Sequence, residues 1–210
     1  MSNSMILGAI LLLASAAHGA DSEPLTIYGI RMLEAVAIPE CAAFADPAQW
    51  RRKHRTTAYP YSPSTATTCY KRDDRSKSGT AAPLTFETLE ILFPTGSEPA
   101  LAYGVEALAI DGRVEAVKWF TRGAAQQEAV FASLKEKFGE PTAYTLDTKQ
   151  NGFGAQYKSI RASWSLPQSV TVVFEGVGGQ VNQGSVAVMS EAARARVSRE
   201  MSQGDSRTRM

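Results

Sequence analysis

Asp111-Gly112 is the feature that most restricts how this chain folds. The pair separates two strand-like runs, Val105–Ile110 and Arg113–Phe120. A type I′ hairpin needs positive φ at both central turn residues, and Asp-Gly meets that need. The two runs are therefore predicted as neighbouring antiparallel strands. With that turn, Leu108 faces Glu115 and Ala107 faces Ala116. Neither face is then cleanly apolar, which leaves room for a bulge.

A helix is predicted next, over Ala124–Phe138. Phe131, Leu134 and Phe138 recur at helical spacing, with Gln127 and Val130 beside them, so this stripe is the face that packs on the sheet. Gly139 and Pro141 end the helix, and Lys135 and Lys137 suit the negative end of its dipole. Further strands are read from alternation. Leu89, Ile91 and Phe93 share one side of Thr88–Phe93. Ile160, Ala162, Trp164 and Leu166 share another, followed by Val170–Glu175 and Ser185–Met189. Leu25–Ile30 is a weaker first strand, and Met32–Cys41 reads equally as a short helix or as irregular core lining. Short links between strands require antiparallel pairing. The expected class is α+β: an antiparallel sheet of about five or six strands with one main helix packed on one face.

The order strand, Asp-Gly, strand, helix, ending in Leu134-Lys135-Glu136-Lys137-Phe138-Gly139-Glu140-Pro141, resembles small exported bacterial proteins of unknown function. It is also similar to helix-on-sheet modules of the β-lactamase-inhibitor type and of small outer-membrane-assembly lipoproteins. That resemblance implies a binding protein rather than an enzyme. The chain departs from the lipoproteins because no Cys ends its leader.

The leader itself is clear. Met5–Ala17 is almost wholly apolar, and small residues follow it up to Ala20. Residues 1–20 are expected to be a signal peptide, with Ala17 at −3 if cleavage follows Gly19. The run is shorter than the ~20 apolar residues a membrane span needs. Residues 21–189 are expected to form one domain, and residues 190–210 a tail that is partly helical and then disordered. Cys41 and Cys69 both lie beyond the leader, and two cysteines in an exported chain read as a disulfide. Closing that loop should stabilise the fold by roughly 3–4 kcal/mol. Periplasmic or secreted localisation follows, with no transmembrane span after cleavage.

Several chemistries are unsupported. Beyond the leader there is one histidine, His54, and it sits among Arg51, Arg52, Lys53 and Arg55. Those cations oppose the imidazolium that a Ser-His-Asp triad needs. No cofactor or metal site is expected. Gly176-Val177-Gly178-Gly179 and Gly152-Phe153-Gly154 lack the strand-to-helix context of phosphate-binding loops and read as turns. Glu87 and Glu90 lack a spacing that marks a catalytic pair. Net charge is +1, so no global field points to nucleic acid.

One charged region stands out. Between Trp50 and Lys77, eight Lys or Arg face two Asp, among the aromatics Trp50, Tyr59, Tyr61 and Tyr70. Arg51, Arg52, Lys53, Arg55, Lys71 and Arg72 are its candidate anion-binding residues, suited to phosphate or carboxylate. The leading expectation is an exported, non-catalytic binding or accessory protein. Its partner would be a protein or an anionic envelope component. The alternatives are a surface protein that contacts anions (lipid head group, cell-wall polymer or acidic protein) through residues 51–77, and a hydrolase of unrecognised class.

Overall fold

The computed structural model of the protein describes residues 23–42, 67–72, 86–150 and 154–208. Two short strands, β1 (Thr26–Ile27) and β2 (Ile30–Arg31), pair with each other alone. The main sheet contains β3 (Cys69–Arg72), β4 (Phe86–Leu92), β5 (Tyr103–Ile110) and β6 (Arg113–Thr121). After helix α1 (Gln127–Phe138) come β7 (Ala143–Gln150), β8 (Gln156–Ser165), β9 (Thr171–Glu175) and β10 (Gly184–Met189). Helix α2 spans Glu191–Thr208. The spatial order is β3-β4-β5-β6-β10-β9-β8-β7, and every neighbouring pair is antiparallel. Two four-stranded meanders, each followed by a helix, thus meet along β6 and β10.

The α+β class stands, with one helix packed over β8, but the sheet has eight strands instead of five or six. β3 and β7 are the strands that alternation does not announce. Leu25–Ile30 is also no single strand: the chain reverses at Tyr28-Gly29, where both φ values are positive. Residues 32–41 form turns and isolated bridges rather than a helix, with Ala35 opposite Arg113 and Glu40 beside Tyr70.

The Asp111-Gly112 turn forms as its chemistry requires, with φ of 50° and 77°. The register beyond it differs from the simple hairpin. Leu108 faces Ala116 and Ala107 faces Val117, because the ladder shifts between Leu108 and Ala109. Glu115 falls in this bulge and is 8% exposed. Its carbonyl accepts from the Ser190 N–H at 2.8 Å, where the chain enters α2.

One face of the sheet carries the core. Val117, Trp119, Val172, Phe174, Val186, Val188, Ile160, Ala162 and Trp164 lie in register across four strands. Helix α1 covers them with Val130 and Leu134, and the β1–β2 hairpin adds Ile27, Ile30 and Met32. Each such aliphatic side chain contributes about 1.5–3 kcal/mol by leaving water. Phe131 stacks on Phe174 and meets Trp164 and Tyr144. Gln127 fixes the helix in place: its Nε2 donates to the Lys158 carbonyl at 2.9 Å, and its Oε1 accepts from the Ile160 N–H at 3.0 Å. Trp164 Nε1 donates to the Gly139 carbonyl at 2.8 Å and ties down the helix end. Arg196 of α2 sits 3.7 Å from the centre of the Phe86 ring. Phe86 points away from Leu89, so α2 lies on the other face.

Candidate functional site

Cys41 and Cys69 are joined, with Cα atoms 5.0 Å apart, and both are buried. The bond lies beside the outer edge of β3. There the Cys41 N–H donates to the Tyr70 carbonyl at 2.8 Å, and the Tyr70 N–H donates to the Pro39 carbonyl at 3.0 Å. Residues 39–41 therefore cover this sheet edge.

Of the candidate anion-binding residues, Arg51, Arg52, Lys53 and Arg55 lie outside the described residues, as does His54. Lys71 and Arg72 lie on β3 and are engaged within the chain. Lys71 Nζ is 2.6 Å from Glu90 Oε2. Arg72 pairs with Glu87 and, at 3.6 Å, with Glu40. Burial pulls its proton affinity down, but the charges of Glu87 and Glu40 and the Tyr70 hydroxyl outweigh that and hold it above its ordinary value. The same pairs answer the carboxylate question. Glu87 and Glu90 point to opposite faces of β4, and each neutralises a cation. Among the described residues no three His, Cys, Asp or Glu are grouped to hold a metal ion. The glycine run at 176–179 is a turn whose Val177 and Gly178 carbonyls accept from Lys149 Nζ. Gly152 and Phe153 are outside the described residues.

A concave feature with ligand-sized dimensions lies elsewhere among the described residues. A groove of about 610 Å³ runs between the β4–β5 connection and α1. Tyr28, Phe93, Pro94, Pro99 and Leu101 form its apolar walls, and Ser97, Ser133 and Thr68 add hydroxyls. It continues into a recess of about 200 Å³ that shares Tyr28, Leu101 and Ser133. Trp119, Val130 and Leu134 line the recess, with Lys137 at its rim. The local structure explains the placement. The tight Tyr28-Gly29 reversal thrusts Tyr28 over the sheet, edge-on to Trp119 at 5.2 Å and to Phe93 at 6.2 Å. Lys137, in the last turn of α1, donates one N–H to the Thr26 carbonyl at 2.8 Å. Burial lowers its proton affinity. Few polar groups around an apolar cleft is the common pattern of small-ligand and side-chain pockets.

Burial pushes the Tyr28 hydroxyl up to about 12, so it stays a neutral donor in the physiological range. The folded state then holds this proton more tightly than the unfolded state, whose value is about 10. Stability from this group is complete below pH ~10 and is lost as pH rises towards ~12. Thermal unfolding followed from pH 8 to pH 11 should therefore fall less steeply for Tyr28→Phe than for the wild type.

Tyr28, Leu101 and Ser133 come from three distant stretches, so local sequence patterns do not mark the groove. The one usable signal is Tyr28-Gly29 as a turn dipeptide. Comparison with family models, characterised proteins and solved structures finds no match to this chain.

Proposed function

We propose that the protein is a non-catalytic binding module acting outside the reducing cytosol, and that its ligand lies in the groove between the β4–β5 connection and α1. The Cys41–Cys69 bond and the apolar leader support the compartment. No helix among the described residues is long and apolar enough to cross a membrane. The observation that carries the binding reading is the groove itself: apolar walls at Tyr28, Phe93 and Leu101, hydroxyls on the rim, and an ammonium at Lys137. Such a lining fits an extended apolar group that ends in a hydrogen-bond acceptor. The acceptor would take one of the N–H groups of Lys137 that the Thr26 carbonyl leaves over.

The test is native mass spectrometry of protein purified from the producing cells. Wild-type protein is expected to carry a discrete adduct. Ser133→Trp, which fills the groove from the exposed side of α1, is expected to lose it while keeping the wild-type circular dichroism. An adduct retained at equal occupancy by Ser133→Trp contradicts the reading.

A further inference from the structure

The two edges of the main sheet differ. β3 is covered by residues 39–41, whereas among the described residues no strand or segment pairs with the outer side of β7 along Ala143–Gln150. Hydrogen-bond parity shows which groups of β7 face outward. In β8 the Ile160 carbonyl accepts from Gly176, and the Leu166 N–H donates to Val170. Even-numbered residues of β8 thus bond towards β9. The Ser165 N–H points the other way, to Thr142 Oγ1 at 3.0 Å. Odd-numbered residues of β8 therefore bond to β7, and they sit opposite Thr145, Asp147 and Lys149. The N–H and C=O groups of Tyr144, Leu146 and Thr148 are left pointing outward. Among the described residues none of these has a main-chain partner in another segment.

The side chains of this edge do not protect it either. Tyr144 and Leu146 are 49% and 48% exposed, on the face that α1 covers only as far as Phe131. Edge strands are usually guarded by lysine, proline or a bulge. Here the ladder to β8 is unbroken from Ala143 to Gln150, and the strand contains no proline. Its one lysine, Lys149, is turned back to Glu175 at 3.1 Å and to the Val177 carbonyl.

We propose that β7 is a self-association edge: two copies of this chain pair antiparallel through β7 about a two-fold axis at Leu146, making one continuous sheet. The register follows from length and charge. An axis near the middle of Ala143–Gln150 keeps the whole strand in the ladder, so it passes at Leu146 or at Asp147. An axis at Asp147 sets two carboxylates directly opposite each other, which is unfavourable. The axis at Leu146 sets Leu146 against its copy, Tyr144 against Thr148, Thr145 against Asp147 and Ala143 against Lys149. Each pairing of the outward-facing residues exchanges two main-chain hydrogen bonds. The exposed Leu146 becomes covered, and no like charges are directly opposed. Such an isologous contact closes on itself and does not propagate into fibres. No groove residue belongs to β7, so this association and the ligand reading stand or fall separately.

The test is sedimentation equilibrium of the chain from micromolar to millimolar concentration, with amide deuterium exchange at both ends of that range. The mass should rise towards twice the monomer, and protection at the Tyr144, Leu146 and Thr148 amides should rise with it. Leu146→Lys opposes two cations on the axis and should weaken association by roughly tenfold or more. Leu146→Pro deletes an outward N–H without touching the bonds to β8, and should stay monomeric with its fold intact. A monomer at every concentration overturns the proposal, as does a dimer indifferent to both substitutions. If neither variant folds, wild-type exchange at the three amides decides, and rates independent of concentration overturn it.

Discussion

Gly123→Ala is expected to lower stability by about 3–5 kcal/mol, because positive-φ strain and a clash with rigid backbone add together. Gly123 has φ of +54°, where the chain leaves β6 for α1. A Cβ there would lie 2.3 Å from the Val181 carbonyl oxygen, 2.5 Å from the Gln183 nitrogen and 2.7 Å from the Asn182 carbonyl carbon. These are main-chain atoms and cannot rotate aside as a side chain tip can. Moving them would also break the bond from the Ala124 N–H to the Val181 carbonyl, at 2.9 Å. Gly96→Ala is the control. It has φ of +83°, but its added methyl meets nothing within 4 Å, so only the backbone strain remains. Urea unfolding of the two variants separates the terms. Equal losses would mean that the 181–183 segment does not press on Gly123.

Removing the disulfide is expected to be nearly as damaging. Cys41→Ala with Cys69→Ala should lose roughly 3–4 kcal/mol, equivalent to a fall of about 10 °C in Tm for a chain of this size. The sulfurs join residues separated by 28 positions, and that loop contains most of the basic stretch. The bond also anchors residues 39–41 over the edge of β3, so its loss exposes the Tyr70 N–H and C=O as a second open edge. Thermal unfolding with and without reductant measures the effect on the unaltered chain. Coincident transitions would show that the bond adds nothing.

Where the physics is local, the sequence predicts this fold well. Asp111-Gly112 makes its turn because both residues accept positive φ. Helix α1 stops at Phe138 because Gly139 and Pro141 follow, and its stripe meets the sheet at Val130, Phe131 and Leu134. β8, β9 and β10 show their burial by alternation, and the two cysteines pair. Where the determinant is tertiary, the sequence is silent. β3 reads Cys-Tyr-Lys-Arg, with no apolar period, and is a strand because β4 and the disulfide hold it there. β7 is exposed on both faces, so the contrast between buried and solvated positions that reveals a strand is missing. The bulge at Glu115 hides the period of β6 by burying four consecutive residues from Val114 to Val117.

The candidate site was less legible than the fold. Charge drew attention to residues 51–77, yet the described cations there, Lys71 and Arg72, spend their charge on Glu90, Glu87 and Glu40. An exposed ion pair of this kind adds little to stability, and its cation is already neutralised towards a further anion. The groove has no charge signature, because Tyr28, Phe93 and Leu101 look like ordinary core residues in sequence. Only folding brings them around a cleft.

Site-directed photo-crosslinking in the producing cells tests the groove most directly. A photoreactive phenylalanine analogue at position 97, on the exposed rim of the groove, should give a discrete adduct that Leu101→Arg in the same chain removes. The same analogue at position 165, which lies on β8 and outside the groove lining, should give none of that species. Identical adducts from positions 97 and 165, or none from 97, would contradict a ligand in this groove.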